Sequence, residues 1–503
     1  MTTYDNKRAG VAAGHRETAE AALSILRDGG NAFDAAIAGF LAACVAEPVL
    51  ASLGGGGFLV AKTAGGEVGV FDFFTETPLK RPPRDAVDFY PVIADFGSAQ
   101  QEFHIGMGAV ATPGAVAGIY DVHEALGRAP MATLVEPAKA LAKAGLALDP
   151  FQAYLLGVVG PIYCASESAR ALFCKDGGDT LLGDGDVYHP AAYADFLDAL
   201  VREGPDLFYR GEVADRITAM DGSTIGRGDL ARYEVARRKP FKSRIGGHEI
   251  FLNPPPAIGG ALIDYMLRTL DLCGLQRDGF GTKTHTAALI GAMQACNRAR
   301  AESRIDHDAH GGAEALSFMD AHPPAYRGTT HISVADTDGN LAALTVSNGE
   351  GCGYVIPGTG IMLNNMLGED DLNAAGFFAW PEGVRLSSMM TPGVMAAPDG
   401  TWTAFGSGGS NRIRTALTQV IVNICVYGQS IGDAVRGPRM HLETDKLSLE
   451  PELSVAEESW QGNMQRWPEP NMFFGGAHVV QRAADGSVSG AGDPRRDGIY
   501  LSL

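Results

Sequence analysis

The sequence predicts an α/β (α+β) chain in which helical layers stack on sheet layers. Three observations carry this. Helical patterns dominate from residue 110 to 240 and resume after 260. Short alternating segments take over after residue 328. Helix and strand patterns occur in both parts, so each class has the other to pack on.

Taken in order, residues 16–48 read as two helices. RETAEAALSILRDGG ends on paired glycines, which suit a helix C-terminus. Asn31 caps the next helix, with Asp34 in its first turn facing the positive end of the dipole. The run AAIAGFLAACVA (35–46) is apolar almost all round, so that helix is expected between other elements. It is too short to cross a bilayer. GFLVAK and VGVFDFF read as strands about Gly65-Gly66, and AVAGIYDVHEALG, ATLVEPAKALAKAG and AAYADFLDALVREG as helices. GHEIFL is a strand ahead of the turn at Pro254–Pro256; ALIDYMLRTLDLCG and HTAALIGAMQACNRARAES resume helix. Residues 306–328 are polar and proline-containing, an expected exposed loop. HISVAD and NLAALTVS then alternate about Asp338-Gly339, a tight-hairpin signal. WTAFGS, AHVVQRA and GIYLSL supply further strands.

Charge and cysteine usage narrow the function. A formal charge of −19 repels polyanions, so neither nucleic acid nor a membrane surface is an expected partner. Seven cysteines lie far apart without a CxxC pair, as expected of reduced thiols. The N-terminus lacks a basic stretch followed by an apolar one, so the cytoplasm is the expected location.

No cofactor or metal is expected. LGGGGF, GMGAVA and GSGGSN all miss the GxGxxG spacing, and no P-loop, HExxH or GxSxG occurs. RIDHDAHGG (304–312) places His307 and His310 near Asp306 and Asp308, and reads as a solvated loop without a second ligand pair. Glycine-rich GSGGSNRI can aim two backbone amides the same way, as an oxyanion hole requires, though many tight turns share the pattern. RLSSMMTP sets Ser387 and Ser388 before a turn.

RGTTHISVADTDGN (327–340) has two readings. Threonines start strands well. A cut between Gly328 and Thr329 would instead give a threonine whose α-amine, with a pKa of about 8, serves its own hydroxyl as base. Gly328 has no side chain to obstruct attack by that hydroxyl on its carbonyl.

Several stretches together decide. TTHISVADTDGN resembles the small-subunit start of the γ-glutamyltranspeptidase family of N-terminal nucleophile (Ntn) hydrolases. GGNAFDAAIA, EPVLASLGGGGF, GTGIMLNNM, RLSSMMTP, GSGGSNRI and GAGDPR follow that family's order along essentially the whole chain. The resemblance implies a four-layer αββα sandwich and a precursor that cuts itself into a large subunit, 1–328, and a small one, 329–503. These would stay intertwined as an αβ heterodimer, with further dimerisation left open, acting on a small-molecule amide. Thr329 would be the nucleophile through an acyl-enzyme. Ser347 takes the place of the family's second threonine, and Gly409 and Ser410 match its oxyanion pair. Ser387 and Ser388 match the serines at the substrate end.

The departures lie at the substrate. DFFTETP puts Phe74 where the family's carboxylate-binding arginine stands, and that grip is not replaceable by phenylalanine. Met366 and Glu369 occupy the places of a glutamine and an aspartate that hold the substrate's α-amine. SNGEGCG is about two residues shorter than usual, leaving Asn348 as the match for the family's asparagine. Lys80, Arg81 and Arg385 are candidate replacement anion contacts. The leading expectation is a self-processing amidohydrolase or acylase with an acyl specificity other than glutathione's. A γ-glutamyl hydrolase or transpeptidase and an unprocessed, non-catalytic binding relative remain as alternatives.

Overall fold

The structure, a computed structural model, describes residues 8–95, 100–303, 328–373 and 376–503. Two antiparallel sheets form its centre. The first runs in the order Ile499–Ser502, Gly10–Ala13, Thr329–Ala335, Leu341–Ser347, Gly56–Lys62, Val68–Phe73, Ala236–Arg238. The second runs Val488–Ala491, Gly476–Arg482, Trp402–Gly408, Gly393–Ala396, His248–Leu252, Phe241–Ile245. Strands from both sides of residue 328 contribute to each sheet, so neither portion of the chain completes a sheet alone.

Three separate buried apolar clusters define the layers. Ala12, Val60, Ala335 and Ala343 of the first sheet meet Phe251, Val394, Ala404 and Val480 of the second. On the outer face of the first sheet, Ile332, Val334, Leu344 and Val346 pack on the helices Arg16–Arg27 and Ala32–Ala46. On the outer face of the second, Ile250 and Phe405 pack on Ile263, Leu289 and Leu417 from the helices Gly259–Thr269, Lys283–Ser303 and Arg412–Cys425. The result is the expected αββα sandwich. Strand periodicity sorts the residues: Leu341 and Ala343 point between the sheets, Ala342, Leu344 and Val346 toward the helices.

The local signals hold. Asn31 accepts from Asp34 N while Asp34 Oδ2 accepts from Asn31 N at 3.0 Å, a complete capping box. The helix it opens is buried along nearly its whole length. The hairpin about Asp338-Gly339 pairs Thr329 with Ser347 and Ala335 with Leu341. Gly10–Ala13 escaped the sequence reading because four uniformly buried residues show no alternation. The hairpin Tyr90–Asp95 and Gln100–Ile105 also went unread. The stretch RIDHDAHGG lies in the 304–327 segment outside the described residues, as does nearly all of the loop expected at 306–328.

The Gly54–Gly57 run has a packing reason. A Cβ on Gly55 would stand 2.1 Å from the Ser347 carbonyl oxygen, and one on Gly54 2.2 Å from that of Met362. Glycine here lets the strand lie directly on its neighbours.

Candidate active site

Register decides which of two adjacent threonines is available. Thr330 shares the helix-facing side of its strand with Ile332 and Val334. There its Oγ1 donates to Glu47 Oε2 at 2.6 Å, and Thr18 Oγ1 donates to the other oxygen at 2.7 Å. Burial pushes the Glu47 carboxyl above its ordinary range, against the hydrogen bond from Thr330. Thr329 shares the opposite side with His331 and Ser333, and lines a cleft.

At that end of the cleft three groups form a chain. Thr329 Oγ1 donates to Ser347 Oγ at 3.3 Å, and Ser347 Oγ donates to the Gly328 carbonyl oxygen at 2.6 Å. Gly349 N donates to Ser347 Oγ at 3.1 Å, fixing that hydroxyl. Thr329 and Ser347 are directly opposed across the hairpin, which is why residues 18 apart in sequence meet. His331 bonds instead to Thr345 Oγ1 at 2.8 Å and Ser333 Oγ at 2.9 Å. Burial, with the charge of His478, holds it well below its usual pKa and hence neutral.

The second sheet supplies the opposite wall. Its strand Trp402–Gly408 runs up to Thr329: a Cβ on Gly408 would stand 2.2 Å from the Thr329 carbonyl oxygen. Gly409 and Ser410 follow at φ 126° and 53°, a left-handed turn that leads into the helix Arg412–Cys425. Backbone amides in such a turn, at the positive end of a helix, suit an anion. Ser410 Oγ and Asn411 Nδ2 each donate to Asp371 Oδ2 at 3.1 Å. Asn411 Nδ2 also reaches Glu443 Oε1 at 3.0 Å, and Glu443 is bonded to His441 Nε2 at 3.0 Å. Burial pushes His441 down to about 4. Burial would raise Glu443, but the bond to His441 and the charges of Arg414 and Arg412 outweigh it and hold the carboxylate low.

The cleft gathers Phe74, Met366, Glu369, Ser387, Ser388 and Ser410 around Thr329 and Ser347. Gly328 and Gly409 adjoin it through the bonds and turn just described. Asn348 is not in the lining: it is fully buried, and neither side-chain amide atom has a hydrogen-bond partner. Phe74 stacks on Phe58 with centroids 5.4 Å apart. Arg385 is committed elsewhere, since its Nη1 donates to the carbonyls of Asp72 (2.8 Å) and Phe74 (2.9 Å) and its Nη2 to Glu76 Oε1 (3.0 Å). Lys80 is exposed, and Arg81 lies over the Trp380 ring; neither lines the cleft.

Sequence reasoning missed Ile258, Arg300, Asp371, Met389 and Met390, all of which do. The two methionines directly follow the serine pair, which was a usable signal. Arg300 comes from a long helix and reaches the cleft only through tertiary packing. Among the described residues no group of three or more His, Cys, Asp and Glu side chains could hold a metal ion, and no helix is long and apolar enough to cross a membrane.

Comparisons with known proteins bear on the family and the fold. The gamma-glutamyltranspeptidase family model matches residues 18–321 and 309–503. The chain is 29% identical to the glutathione hydrolase proenzyme of Escherichia coli (strain K12), over 97% of this chain and 90% of that one. It is equally 29% identical to the acylase ACY 1 proenzyme of Pseudomonas sp. (strain SE83), over 98% and 93%. The cephalosporin acylase of Bacillus halodurans has the same fold, with a TM-score of 0.82 at 23% identity, over 99% of this chain and 96% of that one. The chain belongs to the gamma-glutamyltranspeptidase family of Ntn hydrolases.

Proposed function

We propose that this chain is a self-processing amide hydrolase that cuts itself between Gly328 and Thr329 and then uses Thr329 to hydrolyse an amide through an acyl-enzyme. One observation carries the reading: Thr329 Oγ1 and Ser347 Oγ, both lining a cleft, form an unbroken hydrogen-bonded chain with the Gly328 carbonyl oxygen. Attack of Oγ1 on the Gly328 carbon forms an ester and breaks the Gly328–Thr329 bond. Ser347 relays the hydroxyl proton, which finishes on the departing nitrogen. Water then splits the ester. The freed α-amine of Thr329, a group whose ordinary pKa is about 8, serves as base in turnover, since the nearby His331 is turned away and neutral. Amides of Gly409 and Ser410 stabilise the oxyanion. Two relatives, one a glutathione hydrolase and the other an acylase, are named proenzymes, which supports self-processing. The mixing of strands from both sides of residue 328 supports an αβ heterodimer that stays together after the cut.

For specificity, Phe74, Met366, Met389, Met390, Ile258 and Ile413 favour an acyl group that is largely apolar. A second reading, a γ-glutamyl hydrolase with rebuilt contacts, is favoured by Arg300, Glu369 and Asp371 in the same lining. Comparing kcat/KM for glutathione with that for simple aliphatic and aromatic acyl amides tests the choice. Preference for glutathione contradicts the apolar assignment.

A further inference from the structure

We infer that Glu350 is a positioning residue for self-cleavage. The inference rests on the Thr329 reading above. Gly328 N donates to Glu350 Oε1 at 2.9 Å, while Ser347 Oγ donates to the Gly328 carbonyl oxygen at 2.6 Å. Gly328 is therefore held on both of its polar groups, which fixes the orientation of the peptide ahead of Thr329. Glu350 is itself anchored: it is 2% exposed, and its N–H donates to Asn365 Oδ1 at 2.8 Å. The flanking Gly349 and Gly351 have φ 62° and 86°, and a Cβ on Gly349 would stand 2.1 Å from Glu369 Oε1. The loop SNGEGCG is thus built to present this one carboxylate. Glycine at 328 also matters, because a Cβ there would stand 3.3 Å from Glu350 Oε2 and 2.4 Å from the Gly349 carbonyl oxygen.

In the uncut chain the Glu350 side chain accepts the Gly328 N–H and holds the peptide that is to be cut.

Full-length wild type, Glu350→Ala, Glu350→Gln and Thr329→Ala are translated cell-free and followed on denaturing gels. Glu350→Ala should cut about tenfold more slowly or worse, and Glu350→Gln should recover most of the rate because its amide oxygen still accepts the Gly328 N–H. Rescue by the conservative variant is a result that a general loss of stability would not give. Glu350→Ala cutting at the wild-type rate, or Glu350→Gln cutting no faster than Glu350→Ala, overturns the inference while leaving Thr329 in place. Cleavage that persists in Thr329→Ala removes the reading beneath it. Should Glu350→Ala not fold, Glu350→Gln decides alone: cutting about tenfold more slowly than wild type overturns the inference.

Discussion

The two ends of one cleft are built differently. At the Thr329 end, the proposed nucleophile end, the parts sit on strands: Thr329 faces Ser347 by hairpin register, and Gly408 meets the Thr329 carbonyl by close sheet contact. At the proposed acyl end they come mostly from turns and loops: Met366 and Glu369 about a 3-10 turn, Ser387 and Ser388 from the irregular stretch ahead of the strand Gly393–Ala396, and Arg300 from a helix. Register admits no small adjustment, because a slip by one residue turns every side chain to the other face. Loop residues can change one at a time. The chemistry can therefore persist while the substrate changes.

Perturbing each end should sharpen that contrast. Gly408→Ala introduces a methyl that cannot fit beside the Thr329 carbonyl and displaces the nucleophile strand. Cleavage and activity should fall by about 100-fold or more, measured by gel densitometry and acyl-amide turnover. Ser347→Ala removes the donor to the Gly328 carbonyl and should slow self-cleavage by about 100-fold without changing the fold, checked by circular dichroism. Met366→Gln works at the acyl end. It should shift relative kcat/KM toward amine-bearing substrates by about tenfold at most and leave the cleavage rate alone. A comparable loss of cleavage in Met366→Gln would break the division between the ends.

The weakest effect is on pH stability. Burial pushes His441, His478 and His285 down to about 4, and holds His331 well below its usual value. The unfolded chain binds protons at these sites near pH 6.5, which the folded chain refuses. Their contribution is whole above about pH 6.5 and is lost as pH falls toward 4. Unfolding temperature should decline across that window, and replacing His331 with asparagine should flatten the decline slightly.

Much of the nucleophile end was legible in the sequence because its determinants are local. Asp338-Gly339 sets the hairpin, the hairpin sets the register, and the register brings Ser347 to Thr329. The choice of Thr329 over Thr330 followed from family resemblance; its physical reason, the engagement of Thr330 by Glu47, needs two segments 283 residues apart. Arg385 shows the opposite case. A plausible anion contact by position, it is buried with its guanidinium holding the carbonyls of Asp72 and Phe74. Arg300, Asp371 and Glu350 escaped notice because each gains its role from packing between distant elements. The glycine run was readable as tight structure, but its partners, the carbonyls of Ser347 and Met362, were not.

The central claim is that Thr329 is the nucleophile, and N-terminal sequencing with intact mass of the purified protein tests it most directly. Division of the 52.8 kDa chain at residue 328 should give fragments of about 35 and 18 kDa, the smaller beginning Thr-Thr-His-Ile-Ser, while Thr329→Ala stays one band. A wild-type chain that stays whole, a small fragment that starts elsewhere, or a Thr329→Ala variant that still splits would contradict it.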